Sequence, residues 1–495
     1  MMRFLPFASM GAASFAAFFA LSAWLALHGF EGSETAALAG RAIALRDGAV
    51  TLREIVLAFP PAPYLLSAAL QQVLPQGLIT GGSLLTAFLA AGLLVVILRS
   101  LVAVGYRWPT ALAISIMLLA NPAMLFLAST GPSALLLCLG AWLVATAAFR
   151  LRARSNIVDL MGFSAALAFL ALCHPLGAMI ALGLTPLLIL ILPPQVTSES
   201  TIGAYLTALF PVLLVCGGAL YVSWIFTGEP LSILRTLSAQ SADAQFDSET
   251  SVMGSIVHQP LLAAAAYALL VVLNAPILIG GMAAVRRRLP RMMPMLAFAL
   301  CMPIAALMGD ALGLGSPPLL LVAPLVGFAA ASVAVFPIEE QRPVIALLLV
   351  AAGAIGGGWT MGLAGNAESA GWTRAMAGQT IMAASEADRA VGAALAGRQD
   401  VLIDSTSAPA VIAGRRSASG LVPPLSPNFE LTRMSRRATS RYLAVRSSGG
   451  AHRENDGVHA IFPKLYADGM PGYVRIYDHL GWRIYQRNPA ALAWN

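Results

Sequence analysis

Long apolar runs alternate with short polar connections along most of the chain. Runs of about 17 to 25 apolar residues are long enough to cross a bilayer as helices. The pattern predicts about eleven such crossings, over 6–27, 82–101, 109–128, 133–149, 158–173, 176–192, 205–225, 259–285, 292–308, 318–336 and 343–363. The segment 65–78 is shorter and is interrupted by Gln71, Gln72 and Pro75, so it reads as a helix lying at the membrane interface. After Gly365 the texture changes to that of a soluble domain. A helical pattern covers 368–396, short buried-strand patterns cover 401–404 and 442–445, and 473–478 and 482–487 flank His479-Leu480-Gly481 as a hairpin. The expected architecture is a polytopic all-α membrane domain over 1–364 followed by a small α/β domain over 365–495, a common domain size.

Composition agrees with the pattern. Hydrophobic residues make up 58% of the chain and charged residues 11%, where soluble proteins carry about 25% charged residues; mean hydropathy is +0.78. The net charge of +7 comes almost wholly from Arg residues placed singly or in short clusters between apolar spans. That is an orientation signal rather than a nucleic-acid surface. With the N-terminus in the cytoplasm, Arg99 and Arg107, then Arg150, Arg152 and Arg154, then Arg286, Arg287, Arg288 and Arg291, and finally Arg342 all fall in cytoplasmic loops. The connection 31–63 and the C-terminal domain are then exported, as expected of a multi-pass protein of a bacterial inner membrane. The first apolar run is long for a signal peptide and reads as an uncleaved helix. Cys138, Cys173, Cys216 and Cys301 all lie inside apolar runs, so neither a disulfide framework nor a zinc site is expected, and the sequence calls for no metal or cofactor. No internal repeat is evident, which argues against inverted-repeat transporters.

Chemistry concentrates between the first and second spans. Residues 30–64 carry Glu31, Glu34, Arg41, Arg46, Asp47, Arg53 and Glu54 and end in Phe59-Pro60-Pro61-Ala62-Pro63-Tyr64. An unpaired charge in hydrocarbon costs roughly 3 kcal/mol or more, so a membrane enzyme keeps its acids and bases at a water-accessible mouth such as this. A carboxylate here, Glu34 or Glu31, can act as a general base if apolar surroundings raise its pKa. Arg41, Arg46, Arg53 or Arg235 can hold a phosphate through paired hydrogen bonds. The alternative is that all of them are ordinary loop charges in surface ion pairs.

Three segments carry a resemblance. The stretch from Phe30 through Glu31, Ser33 and Glu34 to Gly48 resembles the first exported loop of GT-C-type polyprenyl-phosphate-dependent glycosyltransferases, where an Asp-Glu pair precedes a short helix. The element ending in Tyr64 is similar to their Tyr-Pro-Pro-Leu-Tyr motif. The run Ser223-Trp224-Ile225-Phe226-Thr227-Gly228-Glu229-Pro230-Leu231 is similar to an Asn-Trp-Leu-x-x-Gly-Asp-Pro-Leu segment. The lipid A aminoarabinose and galacturonic acid transferases are of this kind. The resemblance implies transfer of a sugar from a polyprenyl-phosphate donor to a lipid, glycan or protein acceptor, without a metal, and no nucleic-acid partner. It implies Glu34 as catalytic base, with Glu31 beside it, and Tyr64 and Glu229 among the substrate-binding residues. The chain departs from the pattern at Ser33, where the first acid of the pair is expected.

Other polar residues read more plainly. The long connection 227–258, with Arg235, Asp243, Asp247 and Glu249, has the length of a gating loop or of a simple mobile one. His174 and His258 sit at helix junctions as structural residues, and Asp404 ends a strand in a turn or capping role. Two rival readings stand beside sugar transfer: a non-catalytic membrane protein that organises an envelope partner, supported by Ser33, and a transporter or flippase, which expects broken helices near the midplane.

Overall fold

The computed structural model describes residues 5–49, 60–73, 80–230, 259–284, 289–312, 318–335, 342–382, 385–405, 407–424, 426–447 and 456–488. The helices of the apolar region are α1 (Leu5–Leu27), α2 (Ser33–Arg46), α3 (Pro61–Gln71), α4 (Gly81–Val104), α5 (Trp108–Leu119), α6 (Pro122–Thr130), α7 (Pro132–Arg154), α8 (Ile157–Cys173), α9 (Pro175–Leu184), α10 (Leu188–Ile191), α11 (Pro194–Thr227), α12 (Pro260–Asn274), α13 (Ile277–Ala284), α14 (Leu289–Ala311), α15 (Val322–Val335) and α16 (Arg342–Ala364). Among the described residues, seven helices are long and apolar enough to cross a membrane, and the bent pair α5–α6 makes an eighth if it is one span. The protein is therefore membrane-embedded in character, and three shorter apolar helical stretches, Ile157–Cys173, Pro175–Ile191 and Pro260–Asn274, stand beside these spans among the described residues.

Two of the apolar runs are broken at prolines. The run 109–128 is bent by 59°, because Pro122 has no N–H to continue the ladder. Asn121 caps the second half: its Oδ1 accepts from the N–H groups of Ala123 and Met124 at 3.0 and 3.3 Å, and its Nδ2 donates to Gly353 O at 3.1 Å. The run 259–285 breaks likewise at Ala275, ahead of Pro276. Asn121, Asn274 and Pro276 line one cavity of about 10 Å³ between these two breaks, the room of a single water. The spans are thus less continuous than their hydropathy suggests.

Helices α7 and α15 form the centre of the bundle, with 72% and 83% of their spans buried against 6% for α1. Lipid is as apolar as Leu, so helices associate by close packing of small residues. Gly327 meets that requirement: a Cβ there would collide with Cys138 O. Phe298 and Phe328 stack beside it, with ring centroids 4.5 Å apart.

The C-terminal region adds α17 (Ala367–Met376), α18 (Glu386–Ala394), β1 (Val401–Leu402), α19 (Ala410–Arg415), β2 (Leu421–Val422), α20 (Pro427–Ser435), β3 (Tyr442–Arg446), α21 (Gly457–Ile461), α22 (Leu465–Asp468), β4 (Tyr473–His479) and β5 (Trp482–Arg487). The sheet runs β2-β1-β3-β5-β4, parallel through β2-β1-β3 and antiparallel beyond. Its β4–β5 hairpin turns at Leu480 and Gly481, both at positive φ, which suits a two-residue connection. One face packs Val401, Ile403 and Ala444 on Val391 and Val411; the other packs Leu402, Leu443 and Val445 on Phe429 and Val458. Asp404 accepts from the N–H groups of Ser407 and Gly457 at 3.2 and 2.7 Å, which is a turn role. The single helix read over 368–396 is two helices, α17 and α18.

Candidate functional site

Helix α2 is the structural link between the two halves. Its flank meets α3 and α4 on the membrane side and α19 on the other. Ile43 packs with Ile412 and Ala418, and Gly40 lies so close to Pro409 O that a Cβ would collide with it. The residue before the helix, Gly32, has no side chain to cap it. That role falls to Glu368 on α17, which accepts from Ser33 N–H at 2.8 Å and from Ser33 Oγ–H at 3.2 Å.

Glu34, one residue on, performs the same service for a second helix. Its Oε1 accepts from Ser133 N–H at 3.1 Å and from the Ser133 hydroxyl, at the start of α7, where the helix dipole favours a negative charge. Gly131 makes room: a Cβ there would overlap the Glu34 carboxylate. Thr35 Oγ donates to Thr130 O at 2.9 Å and fixes the same junction. Glu34 is half-buried, with its carboxylate against Ser133 and Gly131. Burial raises its pKa to about 7 and outweighs the lowering by the two Ser133 hydrogen bonds; Glu368 adds to the rise and Arg41 opposes it.

Arg41 lies two turns beyond Glu34, about 10 Å along the axis on the same side of the helix. Burial lowers its pKa, against the opposite pull of Tyr64 and Glu34. Among the described residues it makes no ion pair. Tyr64, on α3, is buried. The Arg41 guanidinium thus lies within electrostatic reach of both the Glu34 carboxylate and the Tyr64 phenol.

The other expected site residues are placed differently. Glu31 accepts from the Ser385 hydroxyl and pairs with Arg389, both in the C-terminal region. Arg46 pairs with Asp47 at 3.0 Å and donates to Arg416 O at 3.3 Å. Asp47 in turn accepts from Ala418 N–H at 2.9 Å. Its burial would raise its pKa, but the bonds from Ala418, Ser417 and Arg46 bring it below the usual range. These two charges hold α2 to the C-terminal region. Glu229 is exposed just past α11, a helix that packs on α8 and α9. Arg53 and Arg235 lie outside the described residues.

The group also contains residues the sequence reading missed: Glu368, Ser133 and Arg389. Asn366 and Ser369 form a capping box that marks the start of α17, so a helix opening at Glu368 was legible. Its contact with a residue 335 positions earlier was not. Among the described residues no three His, Cys, Asp or Glu side chains gather closely enough to hold a metal ion. No known family model matches the chain, and no characterised protein matches it.

Proposed function

We propose that the protein is a GT-C-type glycosyltransferase of a bacterial inner membrane that moves a sugar from a polyprenyl-phosphate donor to a lipid, glycan or protein acceptor. In this reading its C-terminal region and α2 face the periplasm. The observation that carries the proposal is Glu34, a carboxylate with its pKa raised to about 7, seated at a helix N-terminus near Arg41. A base of that pKa is half ionised at neutral pH and matched to proton transfer.

In the reaction the acceptor hydroxyl attacks the anomeric carbon, the bond from that carbon to the phosphate oxygen breaks, and the hydroxyl proton passes to Glu34. The lipid phosphate leaves with the bonding electron pair, and Arg41 offsets its charge. Glu31 has no chemical step, because Arg389 and Ser385 already engage its carboxylate.

A second reading has an observation of its own. Glu34 caps α7 and Glu31 ties the outer half down, which are structural tasks that a non-catalytic protein organising an envelope partner would also need. Mass spectrometry of envelope glycolipids and glycans from cells carrying Glu34→Gln separates the two. Loss of a sugar-bearing product supports transfer; a product profile equal to wild type supports the organising role.

A further inference from the structure

A second cavity, of about 130 Å³, lies beside the Glu34 group where the ends of several helices meet. Its described lining includes Ser22 on α1, Thr35 on α2, Thr80 and Ser83 at the start of α4, and Ser129 on α6, with the Glu31–Arg389 pair at one side and Leu25, Ala26 and Phe30 as apolar wall. The room suits one ring or headgroup; sites for larger ligands measure roughly 300 Å³ or more.

The hydrogen-bond directions decide which headgroup. Ser22 donates its hydroxyl hydrogen to Phe18 O at 3.0 Å, Thr35 to Thr130 O at 2.9 Å, and Ser129 to Leu125 O at 2.8 Å. Thr80 and Ser83 bond to each other at 3.1 Å. A hydroxyl that has donated its hydrogen offers only lone pairs. The wall is therefore rich in acceptors, and its one guanidinium already faces Glu31. A phosphate, itself all acceptor, finds three of the five hydroxyls with their hydrogens already given and the guanidinium charge already paired with Glu31. An ammonium finds the Glu31 charge already compensated. A neutral ring bearing several hydroxyls donates to the Ser22, Thr35 and Ser129 oxygens, accepts the one hydrogen that the Thr80–Ser83 pair keeps, and lays its apolar face on Leu25 and Phe30.

We infer that this cavity binds the hydroxylated ring of a glycolipid, with the phosphate or other linkage left outside it. The ring's identity as a substrate sugar rests on the function proposed above; the binding itself does not, and is measured without turnover.

The test uses the full chain in lipid nanodiscs and saturation-transfer difference NMR with octyl glycosides of glucose, galactose, mannose and arabinose, against octyl phosphate and octylammonium. Saturation is expected on the ring protons of at least one glycoside. Ser22→Ala and Ser129→Ala each remove an acceptor that otherwise only back-bonds to its own helix, and each weakens that binding about fivefold. Ala26→Leu fills the cavity and abolishes it. The inference is overturned if no glycoside ring is saturated, if octyl phosphate or octylammonium gives the signal sensitive to these variants, or if the variants bind as wild type does. Product loss in Glu34→Gln together with any of those results would sink the cavity assignment while leaving sugar transfer standing; ring binding with unchanged Glu34→Gln products would do the reverse.

Discussion

Ser33 and Glu368 are joined by two hydrogen bonds across 335 positions of sequence, from the N–H at 2.8 Å and from the hydroxyl at 3.2 Å. The carboxylate caps α2 and at the same time stands near enough to Glu34 to raise its pKa. Glu368→Gln keeps the cap's shape and removes the charge. The Glu34 titration, read as the protonated carboxyl band in infrared spectra that Glu34→Gln eliminates, should move below its midpoint of about 7. An unchanged midpoint would mean that the two carboxylates do not communicate.

The raised pKa also gives stability a pH dependence with a definite sign. Glu34 binds its proton more tightly when folded than its ordinary value of 4.5 allows when unfolded. Between those values the folded state holds more protons, so stability falls as pH rises from about 4.5 to about 7. Denaturation midpoints in nanodiscs should decline over that window, and Glu34→Gln should flatten the decline.

Gly131 tests the seat of the carboxylate. Its missing side chain leaves the space that Glu34 fills, so Gly131→Ala must displace Glu34 from Ser133 at a cost of roughly 1–3 kcal/mol. Gly92→Ala, where a Cβ meets nothing within 4 Å, is the control. Thermal unfolding of both variants should show a loss only at position 131, together with a fall in product formation.

Glu31 and Glu34 should separate cleanly. The Glu31–Arg389 pair is half exposed on the arginine side, with 43% of that side chain accessible. A double-mutant cycle on Glu31→Gln and Arg389→Gln is therefore expected to give a coupling of about 1 kcal/mol or less. Glu31→Gln should leave envelope products intact where Glu34→Gln removes them. Equal loss in both would restore Glu31 to the chemistry.

Much of this was legible in the sequence, and the limits have physical causes. The apolar runs located the helices, because hydropathy fixes what can sit in lipid, but Pro122 and Pro276 divide runs that composition alone reads as whole. The strands at Val401, Tyr442, Tyr473 and Trp482 followed from their alternating or buried patterns. The connection after the first span was expected to carry the acids ahead of a short helix; Glu31 precedes α2, Glu34 lies in its first turn and Asp47 follows its last residue. The charges on and beside it were not sortable by type: Glu34 and Arg41 turn inward while Glu31, Arg46 and Asp47 reach the C-terminal region. That division depends on which residues lie across from each, and Glu368, Arg389 and Ala418 are hundreds of positions away.

Because α2 is a shared wall, the two halves cannot be separated without damage to either. Severing the chain near Gly365 would strip Ile43 of Ile412 and Ala418, leave Glu31 and Asp47 without Arg389 and the Ala418 amide, and remove the acid that closes the first turn at Ser33. The C-terminal region thus scaffolds the helix that carries Glu34.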